Sequence, residues 1–225
     1  MTGRAPSSES IRRFIRSHLP IAPVPSVPEI RLHQARPTSG LRRLARRDPQ
    51  GFDRPYWAYA WAGGVALARH VLDHPGTVAA RRVLDLGAGS GVVGIAAAKA
   101  GARQVSAADT DRYAVAALGL NAVANDVAVT SIEIDIDAGP PAGIDLVLVG
   151  DLFYDEVVAE RVTAFLDRCA TSAIDVLIGD PGRAFLPHAQ LRRLADYPVP
   201  DVGGASNAAD GRSAVFAFEP ALSRQ

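Results

Sequence analysis

Cysteine, lysine and long apolar runs are nearly missing from this chain. Cys169 is the only cysteine among 225 residues, which excludes an intrachain disulfide and a cysteine-rich zinc site and fits a reducing compartment. The histidines (His18, His33, His70, His74 and His188) include no pair with convincing ligand spacing, so no metal is expected. The first ten residues hold no apolar run of the secretion type. No stretch approaches the ~18–20 apolar residues that span a bilayer. The expectation is a soluble, cytoplasmic protein with no membrane partner. Formal net charge is zero, which argues against a generic polyanion binder. Internal repeats and low-complexity segments are absent as well.

What remains is the composition of one sizeable globular chain, 48% hydrophobic and 21% charged. Its charge is unevenly placed. Residues 1–50 hold ten arginines against three acids (Glu9, Glu29 and Asp48), an excess that the rest of the chain balances. Lys99 is the only lysine, so the positive charge is almost entirely guanidinium.

Ile11, Phe14, Ile15 and Leu19 recur at helical spacing behind a cap at Ser7 or Ser8. A proline-rich link, Pro20 to Pro28, and a basic, weakly patterned stretch follow. Residues 55–61 then concentrate aromatics and contain both tryptophans. Beyond a helix from about Gly64, short apolar runs alternate with helical patterns. Strands are predicted over 82–86, 104–109, 129–134, 145–149 and 174–179. Helices are predicted over 92–100, 111–125, 155–170 and 185–194. Strands separated by helices imply a parallel sheet with crossover helices. A final strand pair, 199–202 and 213–218, has no helix between its members and implies one antiparallel strand.

The richest signal is Val83-Leu84-Asp85-Leu86-Gly87-Ala88-Gly89-Ser90-Gly91, at the first strand-to-helix turn of this series. Glycines there permit a tight turn and let a cofactor approach main-chain N–H groups. Asp109 ends the next strand, where a carboxylate can accept hydrogen bonds from both ribose hydroxyls. Gly89, Gly91 and Gly94 also match G-x-G-x-x-G, and Asp109 lies 20 residues past Gly89. Spacing alone therefore permits NAD and an NAD-linked reductase, and it leaves open a turn that binds nothing. Asp85 speaks for another ligand: a carboxylate there repels a pyrophosphate and suits a cationic sulfonium amino acid.

VLDLGAGSG followed by Asp109 resembles motifs I and II of the seven-stranded S-adenosylmethionine methyltransferases. The resemblance implies a Rossmann-like, mostly parallel seven-stranded sheet with helices on both faces and an antiparallel C-terminal hairpin strand. It also implies cofactor contact by Asp85, Gly87, Gly89 and Asp109, with Asp135 meeting the adenine amino group and Asp137 close behind. Three further stretches, PYWAYAWAGG (55–64), GDLFY (150–154) and IGDPGR (178–183), look like the electron transfer flavoprotein β-subunit lysine methyltransferases, in particular bacterial members, as does the lead-in Pro28-Glu29-Ile30-Arg31-Leu32. That likeness implies a protein-lysine N-methyltransferase whose partner is the flavoprotein β-subunit. It places Asp151 and Tyr154 at the acceptor site and Trp57 or Trp61 beside the cofactor. Residues 1–54 then form a helical, basic lead-in and 55–225 the methyltransferase domain.

Alternatives with the same cofactor are a ribosomal-protein or a small-molecule N-methyltransferase. Ribosomal-protein enzymes carry an Asn-initiated motif where this chain has Gly150-Asp151. The Asn-Pro-Pro-aromatic element of adenine methyltransferases is missing, which argues against nucleic acid. Each residue also has a plainer reading: the tryptophans as core anchors, Asp151 as a helix cap, Asp180 as a turn residue, and Cys169 as part of an apolar helical stripe. The arginine-rich start reads first as a solvated cover, with protein docking and nucleic-acid binding left open.

The two cofactor readings separate in a thermal-shift experiment. S-adenosylhomocysteine should raise the melting temperature by mass action and NADH should leave it unchanged; the opposite pattern would overturn the sulfonium reading.

Overall fold

The computed structural model describes residues 6–49, 51–52, 54–199, 201 and 211–220. Helix α1 (Ser8–His18) starts at Ser7, whose hydroxyl accepts the Ser10 N–H at 3.3 Å, and it buries Ile11, Phe14 and Ile15. Two strands, β1 (Ile21–Val24) and β2 (Val27–His33), then pair antiparallel, and α2 (Leu41–Arg47) follows. After a 3-10 turn at Tyr56–Ala58 the chain runs through α3 (Ala62–Asp73), β3 (Arg82–Leu86), α4 (Val92–Lys99), β4 (Gln104–Ala108), α5 (Arg112–Ala124) and β5 (Thr130–Ser131). It ends with β6 (Leu146–Gly150), α6 (Glu156–Thr171), β7 (Asp175–Asp180), β8 (Leu191–Tyr197) and β9 (Ser213–Phe218).

Seven strands form one sheet in the order β5-β4-β3-β6-β7-β9-β8. Only β9 runs antiparallel to its neighbours. The alternation of side chains along each strand builds two cores. Val83, Leu146, Leu148 and Leu177 face α3, α4 and the β1–β2 hairpin, while Leu84, Val147, Val149 and Ile178 face α6. The lead-in is bolted to this body. Asn125, the C-terminal cap of α5, accepts the Arg31 N–H at 2.9 Å and donates to the Arg31 carbonyl at 2.6 Å, so its amide pairs with β2 as a strand would.

Four expectations change. The proline-rich link is the β1–β2 hairpin: Val24, Val27, Ile30 and Leu32 face the core, and a two-stranded ribbon tolerates Pro23 and Pro28. The expected helix at 185–194 is a 3-10 turn, His188–Gln190, followed by β8. Pro187 interrupts a helical ladder, and pairing with β9 overrides the helical propensity of Leu191-Arg192-Arg193-Leu194. Val199 lies outside any strand, and residues 200 and 202 of the expected 199–202 strand lie outside the described residues. The expected strand at 129–134 pairs only at Thr130–Ser131, although Ile132 and Ile134 still pack on the core.

The packing that positions the site is backbone against backbone. The first turn of α3 meets the ends of β6 and β7 at glycines on both sides. A Cβ on Gly150 would lie 2.8 Å from the Gly64 Cα, and one on Gly63 would strike the Gly179 carbonyl and sit 2.7 Å from Asp151 Oδ2. Gly63→Ala should therefore cost roughly 1–3 kcal/mol or more, seen as a lowered melting temperature. Gly76→Ala, where a Cβ meets nothing within 4 Å, should be neutral or slightly stabilising. Equal melting temperatures for the two variants would disprove the close approach.

Candidate active site

Every functional side chain predicted from motifs lies at or beyond the C-terminal edge of the parallel strands, where open α/β sheets bind ligands. At the end of β3, Asp85 is buried and its Oδ2 accepts the Gly94 N–H at 2.8 Å. Gly94 is the third residue of α4, whose own cap position, Gly91, has no side chain to offer. Burial, with the nearby Asp109 charge as a smaller cause, pushes the Asp85 carboxyl up to about 7. Gly87, Gly89 and Gly91 all sit at positive φ, at 68°, 52° and 83°. Their surroundings differ. A Cβ on Gly87 would lie 2.5 Å from Leu152 and one on Gly91 would strike Leu118, but at Gly89 nothing comes nearer than 3.9 Å.

Asp109, just beyond β4, accepts the Gly89 N–H at 2.8 Å on Oδ2 and the Asp111 N–H at 2.8 Å on Oδ1. Burial raises its pKa too. Asp111 caps α5 through the Tyr113 N–H at 2.7 Å, and Asn121 of the same helix donates to the Ser90 carbonyl at 2.8 Å. The glycine turn is thus fixed from both sides while its Gly89 face stays open. These residues fit a sulfonium amino acid nucleoside. Asp85 offers a charge-matched partner for a cationic amino acid end, Asp109 offers acceptor oxygens to ribose hydroxyls, and the space over Gly89 admits a ligand to main chain.

Asp151, just beyond β6, has φ +58°, an uncommon backbone state for a non-glycine residue and one of which Asp is tolerant. Its N–H bonds the Gly179 carbonyl at 3.1 Å. Its Oδ2 accepts the N–H groups of Gly63 and Gly64, the latter at 3.2 Å. Trp61 occupies the cap position of α3 with no side-chain bond to its amides, so the cap comes from Asp151, a remote part of the chain. Oδ1 pairs with Arg183 at 2.8 Å, and Arg183 reaches on to Asp201 at 2.8 and 3.0 Å. Both carboxylate oxygens of Asp151 therefore have protein partners. Asp180, at the end of β7, accepts the Gly182 and Arg183 N–H groups on Oδ1, while its buried Oδ2 has no partner among the described residues. Burial and the Asp151 charge push the Asp180 carboxyl up to about 7.

Aromatic rings form the wall between these two sets of carboxylates. Trp57 is buried and stacked on Tyr113 at 6.1 Å, and its Cα lies 3.9 Å from where a Cβ on Gly89 would stand. One residue earlier, the Tyr56 ring meets Tyr154 at 5.1 Å and Trp61 at 5.5 Å. Trp61 donates its indole N–H to the Tyr56 carbonyl at 2.8 Å, and the Arg183 guanidinium lies 5.9 Å from its ring centre. Tyr154 is 42% exposed, yet partial burial, then Tyr56 and Asp109, hold its hydroxyl above the usual tyrosine range. It stays a neutral donor at physiological pH.

Asp135 stands apart in an exposed turn where its Oδ1 accepts the Asp137 N–H at 2.9 Å; Asp137 pairs with Arg161 of α6 at 2.8 Å. Motif reading did not single out Tyr56, Arg183 or Asp201. A signal for Arg183 existed: Gly150 and Gly179 are register partners, so the two Gly-Asp steps at 150–151 and 179–180 place Asp151 beside Asp180, and such a pair calls for a cation. Among the described residues no cluster of His, Cys, Asp or Glu could hold a metal ion. No helix there is long and apolar enough to cross a membrane.

Comparison with known proteins gives a consistent picture. The family model for ribosomal protein L11 methyltransferase (PrmA) matches residues 68–177. The electron transfer flavoprotein beta subunit lysine methyltransferase of Danio rerio is 40% identical over 221 residues, covering 94% of this chain and 84% of its own. The Xenopus laevis protein of the same name is 39% identical over 215 residues, covering 93% and 87%. Among solved structures, the ribosomal protein L11 methylase of Lactobacillus delbrueckii superposes with a TM-score of 0.50 at 20% identity, covering 73% of this chain and 81% of its own, which speaks for the fold alone.

The raised Asp85 pKa fixes the sign of a pH effect. A cationic ligand binds the ionised carboxylate, so binding expels a proton wherever Asp85 is protonated beforehand. Affinity for S-adenosylhomocysteine should fall as pH drops below about 7, approaching tenfold per unit, with proton release measurable by calorimetry in buffers of different ionisation enthalpy. Asp85→Asn should bind weakly and flatten the profile. A flat wild-type profile between roughly pH 5.5 and 8 would refute the assigned contact.

Proposed function

Since the chain belongs to the electron transfer flavoprotein β-subunit lysine methyltransferase family, we propose that it methylates a lysine of that β-subunit at the aromatic mouth beside Gly89. It is an S-adenosylmethionine-dependent protein-lysine N-methyltransferase. One observation carries the assignment of the site. The single turn Tyr56–Ala58 touches the open glycine face through Trp57 and the exposed Tyr154 through Tyr56, so donor and acceptor sides lie one residue apart.

When bound, S-adenosylmethionine supplies a methyl group on a positively charged sulfur for in-line transfer to a neutral amine. The proposed holders are Asp85 for the amino acid end, Asp109 for the ribose, the main chain at Gly87 and Gly89 for the body, and Asp135 for the adenine amino group. Trp57 contributes its backbone at the turn, and Trp61 closes the wall beside Arg183.

The protein side of the reaction must align an amine and let it lose a proton. Lysine has an ordinary pKa of ~10.4, so the neutral form near pH 7.4 costs roughly 4 kcal/mol. Rings at the mouth favour this in two ways. They remove water from the ammonium, which lowers its pKa, and they stabilise the methylated cation through cation–π contact worth about 0.5–2 kcal/mol. Tyr154 presents a neutral hydroxyl that orients the amine. Asp151, with both oxygens engaged and Arg183 beside it, contributes position: it holds the 150–154 backbone, and with it Tyr154, against α3. A cytoplasmic setting belongs to the same proposal and is supported by the lone, buried Cys169 thiol.

Purified β-subunit incubated with the protein and methyl-labelled cofactor should gain label on lysine. Tyr154→Phe should lower kcat/KM by about 10–100-fold, the worth of one hydroxyl hydrogen bond at a reacting centre, while S-adenosylhomocysteine affinity is unchanged. No label in the β-subunit or in any other lysate protein would eliminate the protein-lysine reading, and full activity in Tyr154→Phe would eliminate the placement of the acceptor.

A further inference from the structure

The arginines of this chain fall into two populations. Around the sheet many are matched: Arg69 pairs with Glu29 and Asp73, Arg82 with Asp145, Arg112 with Asp48, and Arg183 with Asp151 and Asp201. On the two lead-in helices Arg16 alone has a carboxylate partner among the described residues, Glu9 at 3.2 Å. Arg12 and Arg13 of α1 and Arg42, Arg43, Arg46 and Arg47 of α2 are all exposed, and none meets a carboxylate among the described residues. Like charges held this close repel, so the fold itself gains nothing from them.

Their location relates them to the mouth. α1 and α2 pack into one buried cluster with α5 and the Tyr56–Ala58 turn, through Ile15, Leu44, Trp57 and Tyr113. Asp48, which ends α2, accepts the Tyr113 hydroxyl at 2.6 Å, and Tyr113 stacks on Trp57. Tyr59 packs on the same cluster and also meets Trp61 at 5.9 Å. The basic helices are therefore rigidly joined to the aromatic wall.

We propose that the unpaired arginines of α1 and α2 form a docking surface for an acidic segment of the protein substrate, presented beside the lysine that enters the aromatic mouth. The inference rests on the lysine-methyltransferase reading above. Charge complementarity sets the chemistry of the partner, and two features favour a short acidic protein segment over a nucleic acid. The excess of positive charge is confined to the lead-in, and the remainder of a chain with zero net charge is correspondingly acidic, so a long polyanion is repelled beyond the patch. The helices also present no exposed aromatic side chain on which bases could stack, since Phe14 is buried.

The test compares full-length wild type, a variant with Arg42, Arg43, Arg46 and Arg47 all changed to Ala, and one with the same four changed to Lys. The substrate is purified flavoprotein β-subunit, assayed from roughly 50 to 300 mM salt. The Ala variant should raise KM by about tenfold or more with kcat within about twofold, lose most of the salt dependence of KM, and keep its melting temperature and S-adenosylhomocysteine affinity. The Lys variant should restore most of the low KM. An unchanged KM in the Ala variant overturns the docking surface while leaving the catalytic assignment intact. Competition by poly(U), matched by tight poly(U) binding that the Ala variant loses without any change in KM, assigns the patch to nucleic acid and also overturns it. Failure of wild type to methylate any protein removes both readings at once.

Discussion

A helix needs partners for its first N–H groups, and α3 obtains them from a carboxylate far away in sequence. Asp151 fills the position that Trp61 cannot, and it does so because Gly63, Gly64, Gly150 and Gly179 let the helix lie directly on the ends of β6 and β7. Much of the site geometry follows from this contact. It fixes where the chain enters α3, hence where the residues just before it stand, and those residues are the aromatic wall. Arg183 completes the arrangement by neutralising Asp151 in a setting where an unpaired buried charge would cost several kcal/mol. Its second link, to Asp201, ties the segment after β8 to the same point.

The other carboxylates at this edge repeat the theme with a different outcome. Asp85 serves the first turn of α4, Asp109 the glycine turn, Asp111 the start of α5 and Asp155 the start of α6. Each accepts main-chain N–H groups, which keeps polar backbone satisfied where strands stop and helices begin. Asp85 is buried and Asp109 half-buried, both at strand ends beside the glycine turn, and burial raises the pKa of each. Asp85 and Asp109 accept main-chain N–H groups, whereas Asp151 is in addition ion-paired with Arg183.

The parallel strands, the glycine turn and the C-terminal antiparallel strand were legible because they depend on short-range pattern: apolar runs of strand length, punctuation by glycine, and carboxylates at strand ends. Asp85 and Asp109 could be placed at the ends of β3 and β4, and Gly89 in the turn between β3 and α4, for the same reason. The failures have a common physical origin in long-range pairing. Nothing near Pro20–Pro28 announces a hairpin, because its inward residues are recognised by α4, α5 and the sheet. β8 looks helical along its own length and becomes a strand only against β9. Local pattern puts the start of α3 at Gly64 instead of Ala62 because its cap, Asp151, lies beyond the end of β6. Arg183 was invisible as a partner until the register of β6 against β7 brought two Gly-Asp steps side by side. Asp151 was recognised by its motif, but its position alone could not reveal that both oxygens were committed.

Lys99 ends α4, the helix that starts at the glycine turn and runs back across the sheet, and its ammonium group donates to the Asn125 carbonyl at 3.3 Å. It lies at the opposite end of α4 from the glycine turn. Wherever else this protein needs a positive side chain it uses a guanidinium, which stays protonated and offers no neutral amine to a methyl donor. A catalyst for amine alkylation is thereby close to inert toward itself: copies meeting at high concentration present one another with scarcely anything to modify, and the donor is kept for the intended acceptor.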